Sequence, residues 1–181
     1  LYGVEFESQP LSVFSTFDAF SRINPAVKAP TLVLDNGIRL MDSSLILNYF
    51  EAQADPERRL LPVAPDAQAN DLQTLGFILA AAEKAVQNVY EHNLRPVEKQ
   101  HVSWVERITI QLLAACREWN TLLEGRPATA VPDQVAVTST VVWTFIQSMI
   151  PQVVNAADFR TIQAFAESFE SQPAFKKYPF N

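Results

Sequence analysis

The spacing of apolar side chains separates a first part of mixed pattern from a second part that is helical throughout. After residue 65, apolar residues recur every three or four positions, which is the spacing of one face of an α-helix. Two long amphipathic helices are predicted. The inward stripe of the first is Leu72, Leu75, Leu79, Ala82, Val86 and Val89. The inward stripe of the second is Val105, Ile108, Leu112, Ala115, Trp119 and Leu122.

Two further helices are predicted near the C-terminal end. The apolar run from Val135 to Ile150 predicts a buried helix, and Asp133 lies where its N-cap is expected. At 16 residues the run is short for a helix that crosses a membrane. The final helix is predicted from four apolar residues at helical spacing, which are Phe159, Ile162, Phe165 and Phe169.

The first part combines short strands with short helices. Val4–Phe6 predicts a strand and Thr16–Ile23 a short helix that ends before a proline. Two prolines between residues 60 and 65 interrupt regular structure, and helical spacing begins directly after them. The predicted domains are therefore residues 1–61 and residues 66–181.

Residues 30–51 predict a strand hairpin that leads directly into a helix. The strands are Thr31–Leu34 and Ile38–Met41, and Asp35-Asn36-Gly37 provides the tight turn, because Asn and Gly tolerate positive φ. Asp42-Ser43-Ser44 then supplies N-cap residues for the helix. Such a helix N-terminus presents free N–H groups and the positive end of the helix dipole, which favour a carboxylate or phosphate.

Composition narrows the class of protein. With 48% hydrophobic and 19% charged residues, the 181-residue chain is typical of a folded globular protein. Its net charge of −6, without a dense Lys/Arg cluster, argues against nucleic acid or an anionic membrane as the main partner. Cys116 is the single cysteine, so an internal disulfide is excluded and a reducing compartment such as the cytoplasm is predicted.

Other reactive residue types give weak signals. Cys116 follows two alanines close to an apolar stripe and is interpreted as a buried, inert thiol. His92 and His101 have no cysteine or carboxylate at metal-ligand spacing, so no metal site is expected. No G-x-S-x-G sequence surrounds Ser43 or Ser44, which disfavours serine hydrolase chemistry.

The order of motifs over residues 24–51 resembles the glutathione-binding half of the glutathione transferase family. The matching pieces are Asn24-Pro25, Lys28-Ala29-Pro30, the hairpin, and Asp42-Ser43 at a helix start. The resemblance implies that Pro30 is cis and that the main chain of Ala29 pairs with the cysteinyl part of glutathione. It also implies that Asp42 and Ser43 hold the γ-glutamyl carboxylate, with Lys28 a weaker candidate near the glycyl carboxylate.

The same resemblance implies a fold and an activity. The fold class is an α+β thioredoxin-like N-terminal domain followed by an all-α helical bundle. The expected activity joins the thiolate of glutathione, as co-substrate, to a small apolar electrophile, with Tyr90 and Arg95 as acceptor-pocket candidates. A homodimer is expected, with Phe77 or Ile78 near its seam. Two alternatives stay open: a non-catalytic module that binds partners, and a glutathione-dependent reductase or isomerase on the same fold.

One departure from the family concerns the start of the chain. The family's first strand and first helix precede the segment that looks like Tyr2–Phe6, and that first strand would lie between Val4–Phe6 and Thr31–Leu34. We therefore expect the sequence to lack the central strand. The catalytic Ser, Tyr or Cys of the family follows that strand, so it is assigned to no residue of this sequence.

Overall fold

The chain folds into two compact units, Leu1–Arg59 and Leu60–Asn181. The structure is a computed structural model that describes residues 1–126 and 131–180.

The first unit is a two-stranded sheet with short helices. Its elements are α1 (Phe17–Ile23), β1 (Thr31–Val33), β2 (Arg39–Met41), α2 (Ser43–Gln53) and a 3₁₀ turn at Pro56–Arg58. The strands are antiparallel, and Thr31 pairs with Met41, Leu32 with Leu40, and Val33 with Arg39. The predicted turn is confirmed, because Gly37 has a φ of 84° and its N–H donates to the Leu34 carbonyl at 2.8 Å.

The predicted strand at Val4–Phe6 is wrong. Residues 1–10 contain neither strand nor helix, and Val4 and Phe6 are exposed. A β-strand is stable only when a neighbouring strand satisfies its backbone groups. In the described residues the sheet consists of β1 and β2, and neither pairs with this segment.

The second unit is a bundle of helices. Its elements are α3 (Pro65–Leu94), α4 (Val102–Leu122), α5 (Gln134–Met149), α6 (Arg160–Glu170) and α7 (Pro173–Lys177), with 3₁₀ turns at Val97–Lys99 and Ala156–Asp158. The helix predicted as the last is α6, but Pro173 starts a further short helix, because proline suits the first turn. In the described residues, no helix combines the length and apolar character needed to cross a membrane.

The predicted buried helix is α5, at the centre of this bundle. The Ala136 N–H donates to Asp133 Oδ1 at 2.8 Å, so Asp133 is the N-cap as predicted. Its inward side packs on α3 and α6. Trp119 of α4 donates from Nε1 to Ser139 Oγ at 3.2 Å, and Trp143 donates to Gln163 Oε1 at 2.6 Å. The buried indole N–H groups thus have partners, which allows two tryptophans to lie in the core.

The predicted inward stripe of α3 is partly wrong. Leu72 is 51% exposed and Leu79 is 39% exposed. The buried apolar residues of α3 are Leu75, Ile78, Ala81, Ala85 and Val89. This stripe contains small residues, which allow α4 and α5 to pack close to α3. The predicted stripe instead included Leu72 and Leu79. Ile78 is 0% exposed inside its own unit, so its predicted place at a dimer seam is wrong.

An ionic cluster joins three helices of the second unit. Arg126, just after α4, binds both carboxylate oxygens of Asp71 on α3, at 2.7 and 3.1 Å, and Asp133 Oδ2 at 2.7 Å. We call these three residues the Arg126 cluster. Partial burial lowers the pKa of Arg126, but hydrogen bonds to Asp71 and Asp133 outweigh this and raise the pKa.

Candidate ligand-binding site at the end of the hairpin

The register of the hairpin brings two separate segments of the sequence together. Thr31 pairs with Met41, so Pro30 and Asp42 each lie one residue beyond the last pair. Paired residues of antiparallel strands lie about 5 Å apart, and the turn at Asn36–Gly37 is at the opposite end. The segments 28–30 and 42–43, both candidates from the sequence, are therefore neighbours at the open end of the hairpin.

Asp42 and Ser43 form the start of α2. The Ser44 N–H donates to Asp42 Oδ1 at 2.9 Å, so Asp42 is the N-cap. Its φ of 75° is uncommon for a residue other than glycine, although Asp tolerates it better than most. Ser43 is the first residue of the helix and is exposed. The cap therefore leaves an accessible helix N-terminus with a hydroxyl, which suits an anion.

The segment before β1 has an unusual backbone. The Ala29–Pro30 peptide bond is cis, as predicted. Val27 has a φ of 47°, which is rare for a β-branched residue, and its N–H donates to the Asn24 carbonyl at 2.9 Å. Lys28, Ala29 and Pro30 are all exposed. The main chain at Ala29 is thus accessible beside the start of α2.

The side chain of Asn24 fixes this segment through hydrogen bonds, a role that the sequence did not predict. Although Asn24 is 1% exposed, its Nδ2 donates to Thr31 Oγ1 at 2.8 Å, and its Oδ1 accepts from the Ala26 N–H at 3.0 Å. The Thr31 hydroxyl in turn donates to the Lys28 carbonyl at 2.6 Å. The Asn-Pro sequence was the available signal, but only the structure shows that this polar side chain is buried.

The two acceptor-pocket candidates lie in the second unit. Tyr90 is exposed on α3. Arg95 caps the C-terminal end of α3, and its Nε is 3.3 Å from Oε2 of the nearly buried Glu91. Positions five apart on an α-helix differ by about 140° around its axis. The helix therefore separates Tyr90 from Arg95, and the Glu91 ion pair orients the arginine.

Two ionisable groups, the hydroxyl of Tyr2 and the thiol of Cys116, have raised pKa values. Burial raises the pKa of Tyr2 above its usual range, and a 2.8 Å hydrogen bond to Glu51 Oε2 raises it further. Burial raises the pKa of Cys116 to about 12, although Arg117 lowers it slightly. Both groups stay protonated at neutral pH. The predicted burial of Cys116 is confirmed.

No metal centre is found among the described residues, since none of their His, Cys, Asp and Glu side chains form a group of three that could hold an ion. His92 contacts the Asn88 carbonyl through Nδ1 at 2.8 Å. His101 accepts from the Trp104 N–H at 3.1 Å as the N-cap of α4. Both histidines thus contact main-chain groups of their own helices.

Residues 1–58 match the family described as glutathione S-transferase, N-terminal domain. No curated protein matches the chain in sequence.

Solved structures with the same fold cover both units. A glutathione S-transferase from Methylobacterium radiotolerans, in complex with glutathione sulfonate, has 20% identity and a TM-score of 0.78 over 90% of this chain and 77% of its own. A glutathione transferase family member from Pseudomonas fluorescens with bound glutathione has 23% identity and a TM-score of 0.78, over 94% and 82%. Ure2p5 from Phanerochaete chrysosporium, cocrystallised with 1-(S-glutathionyl)-2,4-dinitrobenzene, has 18% identity and a TM-score of 0.74, over 97% and 82%.

These similarities confirm the predicted fold class, an α+β thioredoxin-like N-terminal domain followed by an all-α helical bundle. The cis proline, the hairpin and the capped helix all lie within the matched residues 1–58. Residues 1–58 thus match the N-terminal domain of glutathione S-transferases, and both units share the fold of solved glutathione S-transferase structures.

Proposed function

We propose that this chain binds glutathione at the open end of the hairpin and is a glutathione transferase for a small apolar electrophile. The observation that carries the proposal is the hairpin register, which places Ala29–Pro30 beside Asp42–Ser43. Similar structures from Methylobacterium radiotolerans and Pseudomonas fluorescens hold glutathione sulfonate and glutathione, which supports the choice of ligand.

Each segment of the site offers a different kind of contact. Ser43 and the N-terminus of α2 would bind the γ-glutamyl carboxylate, because free N–H groups, a hydroxyl and the helix dipole all favour negative charge. The main chain of Ala29 would pair with the cysteinyl backbone of the ligand, as an added strand does. Lys28 is exposed beside it and would attract the glycyl carboxylate. A tripeptide, at about 3.5 Å per residue, is long enough to reach all three.

The chemical step needs the thiolate of glutathione rather than its thiol. A donor or positive charge near the sulfur would lower the pKa of the thiol, which would release its proton to solvent. The thiolate would then form a C–S bond with the electrophile, and with an aryl halide the carbon–halogen bond breaks and halide leaves. Neither Tyr2 nor Cys116 is proposed for this role, because the Tyr2 hydroxyl already donates to Glu51 Oε2 at 2.8 Å and Cys116 is buried. Tyr90 and Arg95 stay candidate acceptor contacts on the family resemblance alone, since about 140° around the α3 axis separates them.

Binding and turnover test the proposal separately. Calorimetric titration with glutathione should give a dissociation constant in the micromolar to millimolar range, and an aryl halide should be conjugated in its presence. Binding without conjugation or thiol–disulfide exchange would favour a non-catalytic module. Reduction of a mixed disulfide without conjugation would favour a reductase. No binding at millimolar glutathione would refute the proposal.

We also propose a homodimer in which the exposed side of α3 faces its copy. Leu72 and Leu79 are exposed apolar residues on α3, and Gly76 lies between them. A Cβ added to Gly76 would meet no atom within 4 Å, so packing inside the chain does not require glycine there. A closely approaching second helix would explain its presence. Sedimentation at micromolar concentration tests this, and a monomer would refute it.

A further inference from the structure

We propose that Asn24 is a positioning residue, which fixes the Ala29 segment relative to the Asp42–Ser43 segment so that both engage one glutathione molecule. The ligand in this inference rests on the proposed function, whereas the positioning rests on the hydrogen bonds of Asn24. Because Asn24 is 1% exposed, it cannot contact a ligand and acts only through its neighbours.

Asn24 first ties down the start of the loop. Its N–H donates to the Phe20 carbonyl at 2.9 Å, which attaches it to the end of α1. Its carbonyl accepts from the Val27 N–H at 2.9 Å, and its Oδ1 accepts from the Ala26 N–H at 3.0 Å. These bonds hold Val27 at its φ of 47°, a conformation that persists only when its surroundings fix it.

The Nδ2 of Asn24 then connects the loop to both strands. It donates to Thr31 Oγ1 at 2.8 Å and lies 3.7 Å from Met41 Sδ. Thr31 and Met41 are the last pair of the hairpin, and Asp42 follows directly. The Thr31 hydroxyl in turn donates a hydrogen bond to the Lys28 carbonyl at 2.6 Å. One buried amide therefore touches the residues next to each binding segment.

The side chain of asparagine is suited to this place for a chemical reason. Its amide carries an acceptor and two donors, and this site uses the acceptor for the loop and the donors for the strands. Loss of the network would leave buried polar groups unpaired and would free the segments to move independently. A ligand that contacts both segments at once would then bind less tightly, because binding would have to restore their alignment.

The sharpest perturbation is Thr31→Val, which removes the shared hydroxyl and preserves side-chain shape and strand preference. Thr31→Ser keeps the hydroxyl and is the rescue variant. Thr16→Val is the matched control, because it is the same chemical change in the same unit. The Thr16 hydroxyl bonds only the Ser12 main chain among the described contacts, at 2.8 and 3.1 Å. Asn24→Ala removes the centre of the network.

Calorimetric titration of each full chain with glutathione separates positioning from folding. We expect the dissociation constant to rise about five- to tenfold in Thr31→Val and further in Asn24→Ala, with stoichiometry unchanged. Thr31→Ser should recover most of the affinity, and Thr16→Val should stay within about twofold. A purely structural role would lower the stoichiometry and leave the dissociation constant of the folded molecules unchanged. That result in both network variants would overturn the inference.

Backbone amide NMR without ligand distinguishes failure of the inference from failure of the proposed function. In Thr31→Val, the amide signals of both Ala29 and Ser44 should shift, and in Thr16→Val neither should. If the wild-type chain does not bind glutathione but both signals shift, the proposed function fails and the positioning role stands. If neither signal shifts, the positioning role is overturned whatever the wild type binds.

Discussion

Replacing Arg126 with methionine should destabilise the second unit, because it removes the cation of the Arg126 cluster. Three hydrogen bonds are lost, two to Asp71 and one to Asp133. Methionine fills much of the same volume without charge, so the lost interactions, rather than a cavity, dominate the effect. The cluster joins α3, the end of α4 and the cap of α5, so its loss should affect the whole bundle.

The magnitude follows from the burial of each partner. The Asp71 side chain is only 9% exposed and would become a buried, unpaired carboxylate, which typically costs about 3–5 kcal/mol. Asp133 is 30% exposed and keeps its bond to the Ala136 N–H, so water can replace Arg126 there. Because Arg126 itself is 23% exposed, some water already reaches the cluster. We therefore expect a loss of about 2–4 kcal/mol in the free energy of unfolding.

Tryptophan fluorescence during urea unfolding measures this loss in the relevant unit. The three tryptophans, Trp104, Trp119 and Trp143, all lie within Leu60–Asn181. The midpoint should fall at an unchanged m-value, and the melting temperature should fall by about 4–16 °C for a chain of this size.

A second substitution tests the reasoning itself. Asp71→Asn alone should destabilise the wild type, because it weakens both bonds to Arg126. In the Arg126→Met background the same change should recover stability, since it removes the uncompensated charge. A loss below about 1 kcal/mol for Arg126→Met, or no recovery in the double variant, would refute the assignment of the cluster as a buried ionic link.

Three other predictions concern the site, the association and the thiol. Ser43→Ala should weaken glutathione binding about tenfold, whereas Ser44→Ala, which keeps its capping N–H, should not. If Ser43→Ala and the wild type bind with equal affinity by calorimetry, Ser43 is not part of the site. Gly76→Ala should raise the free energy of unfolding by about 1 kcal/mol but weaken the dimer measured by sedimentation. An unchanged dimer would show that Gly76 does not lie at the dimer interface. Burial raises the pKa of the Cys116 thiol to about 12, so its proton stabilises the fold fully below the unfolded pKa of about 9. From pH 9 to 12 this group should reduce stability by up to about 1.4 kcal/mol per pH unit, and Cys116→Ala should show a shallower decline in urea titrations.

Features fixed by local chemistry were predictable from the sequence. The turn at Asn36–Gly37 and the caps at Asp42 and Asp133 depend on residues within a few positions of one another. The segments of the proposed site also come from the sequence, because the resemblance to the glutathione transferase family runs continuously through residues 24–51. Local preference and tertiary structure agree at these positions.

Features that depend on distant partners were not predictable. Asp71 and Arg126 are 55 positions apart, and nothing near either residue indicates the pair. The apolar spacing predicts Leu72 and Leu79 in the inward stripe of α3, but Ala81 and Ala85 are buried instead, because α3 packs on α4 and α5. At Val4–Phe6 an apolar alternation suggested a strand, but strand formation depends on a neighbour rather than on the segment itself.

The hairpin that carries the proposed site is a ladder of three residue pairs, with the turn at one end and segments 28–30 and 42–43 at the other. The number of residues in the turn therefore determines which residue pairs with Thr31. Inserting one residue at Asn36–Gly37 would slip the register, turn the side chains of one strand to the opposite face, and bring Leu40 or Asp42 opposite Thr31 in place of Met41. The turn lies at the opposite end from both proposed binding segments, yet its length sets the pairing of the residues next to them, so a change in its length would alter the proposed site together with the packing of the hairpin.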